Sequence, residues 1–288
     1  MKAAAECYLC LVSQILRTAR VLEADEELAR KMAQKGCAFL ASTNFDRTPP
    51  EISADLYQFM AGLSGNFDPY YQLKRENIKK ALELYPELKS LAASSPDPLR
   101  TALEISLAGN VIDFGANAED DWLENVNFLK PGMLALDDYP LLIEDMMLAK
   151  SIIFLGDNAG ETVFDRLLIE KIGKRVIFAV REKPIINDAT AEDARLSGLE
   201  EVAEIVSSGC PAPGTCLEQC SPDFLKRLAE ADLIISKGQG NFECLEEVTG
   251  PFYFLLKAKC EVVSRKLGVP QGSLILARSV NFSTKLLV

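Results

Sequence analysis

Over the first hundred residues apolar positions recur three and four apart, and no stretch alternates as a half-buried strand does. This spacing predicts helices over residues 3–22, 25–42, 50–63 and 68–91, divided by polar, proline- or glycine-bearing breaks at 44–50, 62–68 and 94–98. In the fourth helix Leu73, Ile78, Ala81, Leu82 and Tyr85 draw one apolar stripe beside the charged face of Lys74, Arg75, Glu76, Lys79 and Lys80. From residue 151 the pattern changes. Short runs rich in β-branched residues, at 151–155, 175–179, 202–206, 233–236 and 273–277, alternate with helical stretches at 161–172, 191–196, 221–229 and 242–249. Continuous apolar strands between helices are the mark of a parallel sheet covered on both faces. The expected architecture is α/β: a mostly parallel sheet with helices on both faces, plus an N-terminal all-helical subdomain. The division is expected near residue 100, giving a helical subdomain over 1–100 and an α/β domain over 101–288.

Composition narrows the chemistry. The 288 residues carry 31 basic and 42 acidic side chains, a net charge of -11, so a nucleic acid would meet general repulsion and is not an expected partner. Histidine is absent, which removes imidazole general bases, imidazole-bound zinc and histidine-activated nucleophiles at once. Any metal must be held by oxygen or sulfur. No apolar run approaches the roughly 20 residues that cross a bilayer, so no membrane association is expected. Glu6, Gln14, Arg17 and Arg20 suit an amphipathic helix better than a signal peptide. The eight cysteines (7, 10, 37, 210, 216, 220, 244 and 260) are diluted through a chain long enough to need no staples, which points to a reducing, cytoplasmic setting and leaves disulfides for a thermophile.

In an open α/β sheet ligands bind beyond the carboxyl ends of the strands, so the residues following each strand carry the candidate chemistry. After 151–155 comes Gly156-Asp157-Asn158-Ala159-Gly160-Glu161; after 175–179 comes a loop ending Asn187-Asp188-Ala189-Thr190; after 233–236 comes Lys237-Gly238-Gln239-Gly240-Asn241. Asp157, Asn158 and Asp188 offer oxygen donors without imidazole or thiolate, a set that favours magnesium or manganese. Lys237 and the glycine-rich backbone after it would suit a phosphate. The plainer alternative is that each segment is a turn whose Asp or Asn caps the next helix. Three such loops at three strand ends favour a site. Asn110 and Asp113, three apart among apolar neighbours, would need partners if buried, either in a ligand site or in tying the helical part to the sheet. Cys7 and Cys10 form one CxxC pair, readable as small core residues, half a metal site or a redox couple. Gly156 to Gly160 is not G-x-G-x-x-G and no Walker lysine follows. Ala159 stands where haloacid-dehalogenase phosphatases carry their second aspartate.

The ordered set Ala108-Gly109-Asn110, Asp113, Gly156 to Glu161, Asn187-Asp188 and Ser236 to Asn241 resembles the signature of the metal-dependent damage-control phosphatases, formerly a domain of unknown function and including acidic-residue-methyltransferase-like proteins. The resemblance spans most of the chain, and Cys7 and Cys10 resemble the mainly prokaryotic branch. It implies hydrolysis of small phosphorylated metabolites, such as sugar phosphates or nucleotides, with manganese, nickel, cobalt or magnesium. Carried over, Asp157, Asn158 and Asp188 would hold the metal and be catalytic with Lys237. Glu161, Gly238, Gln239, Gly240, Asn241 and Lys257 would line the substrate, with Asn110 and Asp113 at its edge. Gln239 and Gly240 replace the Asp-Leu of the methyltransferase-like branch, and Phe254 and Leu255 replace the Arg and Thr ahead of its lysine, so that branch's substrate preference does not carry over. Two other classes remain: a carboxyl methyltransferase using S-adenosylmethionine, and a zinc- or redox-responsive binding module built on the cysteines. The oligomeric state is not legible.

Overall fold

The computed structural model describes residues 1–109 and 133–286. Five helices open the chain: α1 (Cys7–Val21), α2 (Glu26–Ala41), α3 (Pro49–Ser64), α4 (Tyr71–Ser94) and α5 (Pro98–Gly109). The expected four are present within a few residues at each end, and α5 is an addition after the break at 94–98. Their starts follow local chemistry: Asp25 caps α2 by accepting from the Leu28 amide, and Thr48 with Glu51 forms a capping box ahead of Pro49 on α3. Helices α1 to α3 enclose a small core around Ile15, Met32, Leu40, Ile52 and Leu56, whereas α4 and α5 pack on the sheet through Ile78, Leu103 and Leu107.

The remainder is β1 (Leu134–Asp137), α6 (Tyr139–Leu148), β2 (Ile152–Leu155), α7 (Thr162–Ile172), β3 (Val176–Val180), α8 (Ala191–Leu196), β4 (Glu204–Ser207), α9 (Pro222–Ala229), β5 (Leu233–Lys237), α10 (Gln239–Leu245), β6 (Phe252–Lys257), α11 (Glu261–Leu267) and β7 (Leu274–Arg278). They form one seven-stranded sheet in the order β1-β7-β6-β5-β2-β3-β4, parallel throughout except for the β6–β7 pair. The α/β expectation with helices on both faces holds. Alternation within β2 shows it: Ile152 and Phe154 face the layer of α4, α5 and α7, while Ile153 and Leu155 face α9, α10 and α11. Among the described residues no helix is long and apolar enough to cross a membrane.

Two strands, β1 and β6, were not expected. Phe252-Tyr253-Phe254-Leu255-Leu256 is an unbroken apolar run of the kind a strand buried on both faces requires, and four of these five side chains are essentially inaccessible. The helix expected over 242–249 is instead α10, which begins three residues earlier, directly after Gly238.

Topology places the crevice. The chain runs from β2 outward through β3 to β4, then returns to lay β5 against the other side of β2. Such a reversal leaves the carboxyl ends of β5 and β2 facing connections that diverge to opposite faces, where an open α/β sheet holds its ligand. The three loops singled out in the sequence leave the adjacent strands β5, β2 and β3.

Candidate active site

Backbone hydrogen bonds knit two of these loops together. Ala189 N–H donates to Asp157 O (2.8 Å), Ala159 N–H donates to Asn187 O (2.9 Å), and Asn158 and Asp188 face each other as an isolated antiparallel bridge. The capping alternative fails for these residues: Asn158 makes no side-chain cap, and α8 is capped by the Thr190–Asp193 box and not by Asp188. The Asn158 amide nitrogen instead donates to Asp157 Oδ2 (3.2 Å) and Glu161 Oε1 (2.5 Å).

The third loop closes on Asp157. Gly238 has φ +82°, and a Cβ there would stand 2.0 Å from Asp157 Oδ2, so only glycine lets this carboxylate rest against the start of α10. Asn241, one turn on, donates to Gly156 O (3.0 Å) and Lys237 O (2.7 Å) and accepts from Thr215 Oγ1 (2.8 Å). Gly240 lies against Pro213, whose carbonyl oxygen would be 1.9 Å from a Cβ. Gln239 points outward from this group, donating to Glu243 (2.8 Å) and accepting from the Lys259 amide (2.9 Å).

Lys237 is wholly buried, with its ammonium donating to Asp165 Oδ1 (2.7 Å), Ser106 O (2.9 Å), Ser106 Oγ (3.0 Å) and Glu161 Oε2 (3.3 Å). Burial alone would lower its pKa, but Asp165 and Glu161 outweigh that and hold it above the usual lysine value. Its donors are spent inside the protein, on Asp165, Ser106 and Glu161. Lys257 ends β6 opposite Leu274, half-buried and without a hydrogen bond or ion pair to the carboxylates. Asn110 and Asp113 lie outside the described residues.

Three contributors escaped the sequence reading. Arg181, the residue after β3, is buried and donates from Nε to Asp188 Oδ2 (2.7 Å) and from Nη1 to Thr215 Oγ1 and Asn241 Oδ1 (both 3.2 Å). Its Nη2 stands 3.9 Å from Asp157 Oδ1 and has no hydrogen-bond partner among the described residues. Asp165, one turn into α7, pairs with Lys237. Lys259, exposed beyond β6, is the lysine whose charge bears on both Asp157 and Asp188. The signal for Arg181 is its place directly after β3, at the end of a strand where ligands of an open α/β sheet bind.

Electrostatically the site is overloaded. Burial pushes Asp157 well above the usual carboxylate range, and the charges of Asp188 and Glu161 push it further. Burial also raises Asp188, although Arg181 opposes the shift. Four carboxylates, Asp157, Glu161, Asp165 and Asp188, meet two buried cations, Arg181 and Lys237, leaving two negative charges in excess when all are ionised. Such an excess is costly in a buried site unless a cation joins it.

Comparison with known proteins gives a consistent result. Residues 3–275 match the model of the damage-control phosphatase ARMT1-like domain. A damage-control phosphatase of Pyrococcus horikoshii is 36% identical over 97% of this chain and 99% of its own, and one of Archaeoglobus fulgidus is 33% identical over 96% and 98%. A crystal structure of a P. horikoshii protein of the same former unknown-function family superposes with a TM-score of 0.90 at 34% identity, covering 97% of this chain and 99% of that one. A sequence alike along nearly its whole length, on the same fold, places this chain in the damage-control phosphatase ARMT1-like family.

Proposed function

We propose that the chain hydrolyses small phosphorylated metabolites, of the sugar-phosphate or nucleotide kind, with the help of a divalent cation held by Asp157, Asn158 and Asp188. The observation that carries this reading is the excess of buried negative charge where two loops are bonded edge to edge at the switch point of the sheet. The donor set fits: two carboxylates and an amide whose carbonyl oxygen has no partner among the described residues, with no thiolate or imidazole beside them. Asp157, Asn158 and Asp188 would supply three oxygen donors, leaving the other positions of a hard cation to substrate and water. Manganese, nickel, cobalt and magnesium all suit it. Bound there, the cation would supply Lewis acidity to the phosphoryl group and to the attacking water.

The remaining work falls to the protein. Nη2 of Arg181, without a hydrogen-bond partner among the described residues, is a fixed, buried donor for a phosphoryl oxygen, already oriented by the bonds that Nε and Nη1 make. Lys237 holds Glu161, and Glu161 accepts from Asn158, which keeps the amide oxygen directed away from both. Gly238 and Asn241 fix the start of α10 against Asp157 and Gly156, so that the backbone beside the phosphate does not reorganise during turnover. Lys259 at the exposed edge attracts an anionic substrate toward an otherwise acidic protein.

The test is phosphate release from a panel of phosphorylated metabolites with each cation in turn. Activity should vanish with a chelator, return with metal, and be lost in Asp157→Ala while that variant still unfolds cooperatively. Turnover surviving in Asp157→Ala, or tight binding of S-adenosylmethionine with no phosphate release from any substrate, would overturn the proposal.

A further inference from the structure

Four cysteines that lie apart in sequence meet behind the loop after β5. Cys210, Cys216 and Cys220 belong to the segment between β4 and α9, and Cys244 to α10; the first two are buried with Ala54 and Ala212, and the other two pack against them. All eight cysteines of the chain are free thiols. The Sγ atoms of Cys216 and Cys244 stand 2.9 Å apart, inside van der Waals contact and within about 1 Å of the ~2.05 Å disulfide bond. Cys210 turns its thiol toward Gly214 O (3.3 Å), and Cys220 reaches Cys216 O (3.4 Å). Among the described residues no three acidic, cysteine or histidine side chains are grouped so as to hold a metal ion, and Cys216–Cys244 is the sulfur pair in direct contact.

We propose that Cys216 and Cys244 are a disulfide-forming pair, a modification site for peroxide or a small disulfide oxidant, and that the bond staples the segment of residues 208–220 to α10. With peroxide, the thiolate of half-buried Cys244 attacks one oxygen; the O–O bond breaks, Cys244 becomes a sulfenic acid, and hydroxide leaves as water after taking a proton. The Cys216 thiol then attacks that sulfur; the S–O bond breaks and a second water departs. Two thiols give up two electrons and two protons, and one peroxide becomes two waters. A dithiol reductant reverses the bond by exchange.

The position gives the bond its consequence. Thr215, next to Cys216, donates to Asn241, one helical turn before Cys244, and Gly214 lies so close to Gly240 O that a Cβ would come within 2.6 Å of it. The crosslink therefore holds the wall of the active site that carries Asn241. It tightens contacts already made and moves no reacting group.

The full chain is treated with hydrogen peroxide or oxidised glutathione, digested and mapped by mass spectrometry, and its melting is followed before and after a dithiol reductant. The expected results are a Cys216–Cys244 peptide pair, a higher melting temperature when oxidised, and loss of that difference in Cys244→Ser but not in Cys37→Ser. Should Cys244→Ser not fold, the wild-type protein still gives the comparison between its own oxidised and reduced forms. A pairing of Cys210 with Cys216 or Cys220, no pairing at all, zinc or iron found on these thiols, or identical melting of the two forms would overturn the proposal. None of these readouts depends on phosphatase activity.

Discussion

Single residues at this site are constrained by their neighbours more than by their own chemistry. Gly238 combines φ +82° and ψ 162°, a region essentially closed to other residues, with the contact on Asp157 Oδ2. Gly238→Ala should lose on the order of 1–3 kcal/mol of stability from the backbone alone. By displacing the carboxylate it should also cut kcat about 100-fold, a loss of the size that a misplacement of about 1 Å produces. Gly62→Ala, at an exposed helical position with nothing within 4 Å, is the control and should be neutral or stabilise by up to about 1 kcal/mol; urea titrations of both variants measure the contrast. Lys237 makes the complementary case. Lys237→Met strands Asp165 and Glu161 without their cation, and the expected loss is roughly 3–5 kcal/mol by chemical denaturation. A variant that keeps full stability and loses only turnover would show that the ammonium serves the substrate instead. Sequence located this lysine at its strand end but could not show its partner, because Asp165 is 72 residues away and nothing in either neighbourhood pairs them.

At the scale of elements, the legible parts were those with local causes. Caps such as Thr48 and Ser221, the apolar stripe of α4 and the β-branched runs of β2, β3 and β5 announce themselves within a few residues. What stayed hidden depends on partners: β6, left unassigned because it becomes a strand only between β5 and β7, and Arg181, whose role appears only when Asp188, Thr215 and Asn241 converge. Helix α10 hides a further consequence. Burial pushes the Glu243 carboxyl up to about 7, against the bond from Gln239 and the nearby N-terminal amine. The folded protein therefore holds this proton more tightly than the unfolded chain, whose value is near 4.5. Stability from this group is complete below pH 4.5, falls as pH rises toward 7 and stays low above. Glu243→Gln should flatten that decline and gain on the order of 3 kcal/mol over wild type above pH 7, an upper limit. The difference between the two melting-versus-pH curves isolates Glu243 from other groups that titrate in the same window, and parallel curves would contradict the buried carboxylate.

For the whole molecule the decisive quantity is charge. A chain of net charge -11 adds to its own repulsion by gathering four carboxylates around two cations, and that arrangement is tolerable only if something else neutralises the excess. Stability and metal binding are then linked: an ion that binds the folded state alone stabilises it by about 2.7 kcal/mol at one hundred times its Kd, enough to raise the melting temperature by several degrees. Asp157→Asn removes one of the repelling charges while leaving the Arg181–Asp188 pair intact. In chelator this variant should melt above the wild type, because the desolvated charge it lacks is the one raised furthest by burial and by Asp188 and Glu161. With saturating manganese the order should reverse, since only the wild type gains from the ion. The crossing of the two melting curves is the signature of a site that keeps unfavourable charge for the sake of a cation. If Asp157→Asn melts below wild type in chelator and responds equally to manganese, the carboxylate contributes to the fold and not to a metal site.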